Sequence, residues 1–223
     1  MYATSTFRSA SAINTAMAGV YKHMSLAVLV SMLVSFYVGN SAALMAFFFT
    51  GIMKWIVIFA PLVAIIGLSF GLEKVSKSVA YFLLYGFAAL MGLSFATIFV
   101  VYNMGSIFTA FMGAAILFAV MSGYGYFTKK DLSDLGSLLF VGLIAIVIAS
   151  IVNIFIGSTV FQMVISAIAI IIFLGLTAYD TQRIREMLSY DQTGNAEVSG
   201  ALSLYLNFIN LFLNFLQLFG ERK

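Results

Sequence analysis

Polar positions in this chain fall in clusters, and between the clusters apolar residues run without interruption. No charged residue occurs from 79 to 127 or from 135 to 179. Each of these runs can hold two segments of about 20 residues, the length a helix needs to cross a bilayer. Turn residues divide them, with Asn103, Gly105 and Ser106 breaking the first and Gly157, Ser158 and Thr159 the second. The pattern predicts seven membrane helices, over 24–38, 55–71, 79–102, 107–127, 135–156, 160–180 and 200–219. The apolar stretch 42–50 is too short to span and reads as an interfacial piece or an extension of the first or second helix. A membrane β-barrel would need strands of about ten residues alternating apolar and polar, a pattern that these long apolar runs do not have.

Composition removes the soluble alternative. Hydrophobic residues make up 63% of the 223 positions and charged residues 9%, against roughly 25% charged in soluble domains. The fold expected is an all-α integral membrane protein with one seven-helix domain over 23–220, a polar tail over 1–22 and a short tail over 221–223. The net charge of +3 is scattered, so it marks a membrane face and no nucleic-acid surface. Arg8, Lys22, Lys74, Lys77, Lys129, Lys130, Arg183 and Arg185 fall on one side of the predicted topology. Lys54, Arg222 and Lys223 fall on the other. Cytoplasmic loops are enriched in Lys and Arg, which puts the N-terminus inside and the C-terminus outside the bilayer. The basic pair at the end keeps open a last segment that re-enters. Cysteine is absent, which rules out disulfides and thiolate metal sites.

Ionisable residues within a membrane span are costly and mark functional positions. Asp180 ends the sixth apolar stretch, and a helix continuing to about Leu188 would keep it inside the bundle. Arg183, one turn on, offers it a simple partner. In the last helix Ser203, Asn207, Asn210, Asn214 and Gln217 recur at spacings of four and three, giving one polar stripe on an otherwise apolar helix. Such a helix belongs at the centre of the bundle. Asn210 and Asn214 read as hydrogen-bond glue between helices. Asn207 sits where it can meet Asp180 across the hairpin 183–199, which contains Asp191, Gly194, Asn195 and Glu197 and reads as a solvated loop. Pro61 should kink the second helix. Ala88 with Gly92, Gly92 with Ala96 and Ala119 with Gly123 are small-residue pairs suited to close helix packing, and Asn153 suits a helix contact near the end of the fifth span.

Enzyme signatures are missing. There is no His-Glu-x-x-His, no Walker glycine loop and no Gly-x-Ser-x-Gly, and the one histidine, His23, precedes the first predicted span. A retinal protein would need a lysine in the last helix, which 200–220 lacks. Gly123-Tyr124-Gly125 ends a helix, with no pore helix before it, and is no potassium filter. No cofactor is expected.

Three segments resemble the Bax inhibitor-1 family: Thr128-Lys129-Lys130-Asp131-Leu132-Ser133, Ala178-Tyr179-Asp180-Thr181-Gln182-Arg183-Ile184, and the last helix from Ala201 through Asn207-Phe208-Ile209-Asn210 to Phe212. The resemblance to bacterial members covers almost the whole chain. It implies a seven-helix bundle with the last helix central and a pH-sensitive calcium leak, gated by two aspartates that share a proton. The first aspartate corresponds to Asp180, which would hold calcium weakly and transiently. The second corresponds to Asn207, where this chain departs from the pattern. Close carboxylates titrate as a coupled pair, and asparagine acts as a permanently uncharged partner, so pH gating should be weakened or moved. The resemblance further implies a basic latch, for which Lys74, Lys77 or Arg183 is available, and an acidic residue in the second span, which 55–71 lacks. Some bacterial relatives resemble regulators bound to a membrane-anchored ATP-dependent protease. That is a different class of function, an alternative to the leak that the loss of the second carboxylate raises, because an interaction protein has no need for a paired-carboxylate gate.

Overall fold

The computed structural model describes residues 8–191 and 193–223. Nine α-helices follow one another among these residues: α1 Ala10–Gly39, α2 Ala42–Phe49, α3 Gly51–Gly71, α4 Lys77–Ser94, α5 Ile98–Val101, α6 Met104–Phe127, α7 Ser133–Ile156, α8 Thr159–Tyr190 and α9 Asn195–Phe219. Among the described residues, seven helical stretches are long and apolar enough to cross a membrane, with α4 and α5 forming one of them. This is the expected all-α membrane architecture.

Lipid is required by what the helices expose. Phe155 is 86% exposed, Phe127 79% and Ile154 77%, positions that water would penalise at about 25 cal/mol per Å² of apolar surface. Only 11% of the α7 span is buried, against 50% of α9. The last helix is the most buried of the seven, in keeping with the central place its polar stripe predicts.

One boundary differs from expectation. α1 begins at Ala10, where the Ser9 side chain caps it by accepting from Ala12 N at 3.2 Å. Residues 10–22, expected as polar tail, are therefore helical, and Met17 and Val20 are buried; the first seven residues of that tail lie outside the described ones. α8 continues past Asp180 to Tyr190. The short 42–50 stretch forms its own helix, α2, closed off from α3 by Gly51 at φ 55°. α3 runs on through Pro61 without a break.

The chain packs as two compact units, one of Met1–Asn103, Glu186–Tyr205 and Arg222–Lys223, the other of Met104–Arg185 and Leu206–Glu221. In the first, α1 and α4 meet at Gly92, where an added Cβ would lie 2.5 Å from Ser31 O. Ser31 Oγ donates to Ala88 O at 2.7 Å and lies 2.6 Å from the fully buried Tyr205 hydroxyl. Ser94 Oγ reaches Val57 O on α3 at 2.7 Å. α9 starts beside α4, with Lys77 Nζ 2.7 Å from Glu197 Oε2. The residues after α9 end beside α5: Tyr102 pairs with Arg222, and Lys223 N donates to Val101 O at 2.8 Å. Within the first unit, the start of α9 and residues 222–223 thus lie at opposite ends of the 77–101 span.

In the second unit, α6 and α8 touch at Gly125, where a Cβ would strike the Ala178 backbone, and α7 meets α8 through Gly136 against the Tyr179 ring. Phe111 and Phe118 pack edge-on to Phe208. The α7–α8 turn uses Gly157 at φ 69°. Asn153 closes it, donating to Gln162 Oε1 at 3.0 Å and accepting from Ser158 N at 3.2 Å, so its predicted helix contact is with the neighbouring α8. Of the predicted small-residue pairs, Gly92 makes a close approach while Gly123 has nothing within 4 Å of an added Cβ.

Candidate functional site

Asp180 lies on α8 in the second unit, half-buried. Three residues beside it on the helix leave little room for water: Leu176 is 8% exposed, and Thr177 and Thr181 are fully buried. The two threonines satisfy themselves along the helix, Thr181 Oγ1 donating to Thr177 O at 2.8 Å and Thr177 Oγ1 to Phe173 O at 2.7 Å. Ser122 Oγ on α6 lies 2.9 Å from Thr181 Oγ1. These hydroxyls leave the carboxylate to another partner. That partner is Asn207, whose Nδ2 donates to Asp180 Oδ2 at 2.7 Å.

Asn207 is 5% exposed on α9, between Tyr205 and Phe208. The contact allowed across the hairpin is therefore made. A hydrogen bond from a neutral amide to a carboxylate is worth about 1.5–3 kcal/mol when buried. Arg183, the alternative partner, is exposed and forms no ion pair with Asp180.

Just beyond the site, Gln182 ties α8 to the loop before α7. Its Oε1 accepts from Leu132 N at 2.9 Å, and its Nε2 donates to Lys130 O at 2.8 Å. Arg185 Nη1 donates to Tyr126 O at 3.0 Å and stacks over the Tyr126 ring. The motif segments 128–133 and 178–184 are thus one structural element that fixes the register of α8.

The other sequence candidates have different places. Lys77 belongs to the first unit and is bound to Glu197. Lys74 is exposed in the 3₁₀ turn Leu72–Lys74. Asn210 and Asn214 do not act as glue between helices: their amides donate to Leu206 O and Asn210 O of their own helix, each at 2.8 Å. The amide in each case folds back one turn, as short polar side chains do beside a free carbonyl lone pair. Ser203 and Gln217 are partly buried on α9. The hairpin is shorter and less solvated than its composition implies. Asn195 is 7% exposed and donates to Leu72 O and Val75 O, and Glu197 lies against the Cα of Gly19.

Two features were not singled out from sequence. The Ser122–Thr181–Thr177 ladder carried a signal in the four-residue spacing of the threonines, hidden by their low polarity. Tyr81 and Tyr85, also four apart, flank His23 from α4. No feature of the sequence joined them to a residue more than fifty positions away.

Chemically, the site offers one carboxylate with Oδ2 anchored and an amide oxygen beside it, hard donors suited to a passing cation. Among the described residues no group of three His, Cys, Asp or Glu side chains gathers to hold a metal.

A family profile described as "Inhibitor of apoptosis-promoting Bax1" matches residues 13–223. The chain belongs to the Bax inhibitor-1 family. Inner membrane protein YbhL of Escherichia coli K12 is 41% identical over 218 residues, covering 95% of this chain and 93% of YbhL. A protein of Borreliella burgdorferi is 37% identical over 216 residues, covering 94% and 93%, and one of Deinococcus radiodurans 40% over 156 residues, covering 68% of each. This Bax inhibitor-1 family chain is thus a multi-pass membrane protein whose segments 128–133, 178–184 and 201–212 all lie within the matched span.

Proposed function

We propose that this protein is a passive cation leak of the bacterial inner membrane, with calcium the principal ion and Asp180 the charged residue on its path. The observation that carries the reading is the Asn207 amide donating to Asp180 Oδ2 at 2.7 Å, a carboxylate kept half-buried between apolar helices by a neutral partner. Intramembrane carboxylates in such positions mark ion routes. Because Asn207 carries no proton to share, the leak depends less on pH than one gated by two carboxylates. The N-terminus faces the cytoplasm, on the side where Lys and Arg accumulate.

The test is calcium flux into liposomes holding the purified protein, from about pH 5 to 8, where a coupled carboxylate pair would respond. Flux that disappears in Asp180→Ala supports the reading. Folded protein without flux, together with co-purification of a membrane-anchored ATP-dependent protease, would replace it with the regulator reading.

A further inference from the structure

We propose that His23, Glu197 and Lys77 form a proton-responsive junction in the first unit, which holds α1, α4 and the start of α9 together while His23 is neutral and loosens when it is charged. The junction is separate from Asp180 and does not depend on the leak reading.

Its geometry is a shared carboxylate. Glu197, in the first turn of α9, places Oε2 2.7 Å from Lys77 Nζ on α4 and Oε1 3.9 Å from His23 Nε2 on α1. The carboxylate fits because residue 19 is glycine, where an added Cβ would collide with Glu197. His23 is stacked on Tyr81, with centroids 4.0 Å apart, and its Nδ1 is hydrogen-bonded to the Tyr85 hydroxyl. Lys77 also lies 5.7 Å from the Tyr81 ring centre. The side chains of His23 and Glu197 are 19% and 14% exposed, and both line an open cavity of 590 Å³ with Lys22, Gly19 and Thr15. Water and protons therefore reach the imidazole.

Among the described residues, the charged groups facing His23 are Lys22 on its own helix, Lys77 on α4 and Glu197 on α9, with Tyr81 and Tyr85 packed against the imidazole. In the neutral state Tyr85 can donate to Nδ1 while Nε2–H points to Glu197. Protonation places a hydrogen on both ring nitrogens, so the Tyr85 hydroxyl must turn, and a third cation appears beside Lys22 and Lys77. One carboxylate faces all three, and at 2.7 Å it is already committed to Lys77. Histidine is the side chain whose ordinary titration falls between about pH 5 and 8, and this chain has one.

The experiment is hydrogen exchange with mass spectrometry on the full-length protein in nanodiscs at about pH 8 and pH 5, corrected for the intrinsic exchange rate. In the parent protein, protection of peptides covering 10–23, 77–85 and 195–202 should fall several-fold at the acidic pH. His23→Gln should show equal protection at both. Unchanged protection in the parent, or an equal loss in His23→Gln, overturns the proposal. The parent protein supplies a second readout should the variant not fold, because its one histidine gives one imidazole resonance. That resonance must titrate over the same interval as protection is lost; a fixed resonance, or one titrating at a different pH, also overturns the proposal.

Discussion

Tyr205 and Ser31, 174 positions apart in sequence, place their hydroxyl oxygens 2.6 Å from each other in a fully buried contact between α9 and α1. Ser31 has one hydrogen, and Ala88 O claims it at 2.7 Å, so Tyr205 is the donor. The two single deletions are therefore unequal. Tyr205→Phe leaves Ser31 bonded and should cost about 1 kcal/mol. Ser31→Ala strands a buried phenol hydroxyl and should cost about 1–3 kcal/mol. Thermal unfolding of both variants checks this, and equal losses would contradict the donor assignment.

Asn207→Asp restores a second carboxylate 2.7 Å from the first. Two charges about 4 Å apart at an effective dielectric near 20 repel by about 4 kcal/mol, enough to make the pair share a proton. The variant should gain a calcium flux that changes at least several-fold across the pH range in which the parent varies little. Identical pH profiles for the two proteins would remove the role given to Asn207.

Glycine contacts separate two substitutions that look alike on paper. Gly92→Ala would bring a methyl group 2.5 Å from Ser31 O and 2.8 Å from Ser31 Cα, both backbone atoms that cannot swing away. Forcing α1 from α4 should cost about 1–3 kcal/mol. Gly123→Ala meets nothing within 4 Å and should be neutral or stabilising by up to about 1 kcal/mol through helix propensity. Melting temperatures that move in opposite directions are the expected result.

Asp191, outside the spans, reports on acid sensitivity before α9. Its partial burial acts to raise its pKa, but hydrogen bonds from Thr193, Gly194 and Ala196 outweigh burial and hold the carboxyl below the usual range. A depressed folded-state pKa means that its contribution is complete above the unfolded value of about 3.9 and is lost as pH falls through the lower folded value. Asp191→Ala removes those bonds at any pH and should cost about 0.5–2 kcal/mol. Exchange rates of the 193–196 amides measure both effects.

The spans were legible because uninterrupted apolar sequence has few other uses, and the Asp180–Asn207 contact because a short hairpin brings its two flanks together. The start of α1 was not, since Ser, Asn and Thr in residues 10–15 resemble a tail until Met17 and Val20 find a core to enter. The stripe on α9 was visible as spacing, yet spacing does not say whether an amide reaches across or back; Asn207 reaches across, and Asn210 and Asn214 reach back. Lys77 and Glu197 are 120 positions apart, and no local pattern couples residues at that separation.

The first unit is built from the beginning of the chain together with Glu186–Tyr205 and Arg222–Lys223. A ribosome makes those pieces last. Helices α1, α3 and α4 must wait in the bilayer through the synthesis of more than a hundred further residues before Glu197 can settle against Gly19, Asn195 can bond Leu72 and Val75, and Tyr205 can reach Ser31. Truncation near the C-terminus would therefore leave the oldest part of the protein unfinished, and quality control at the membrane would meet the defect at its N-terminal end.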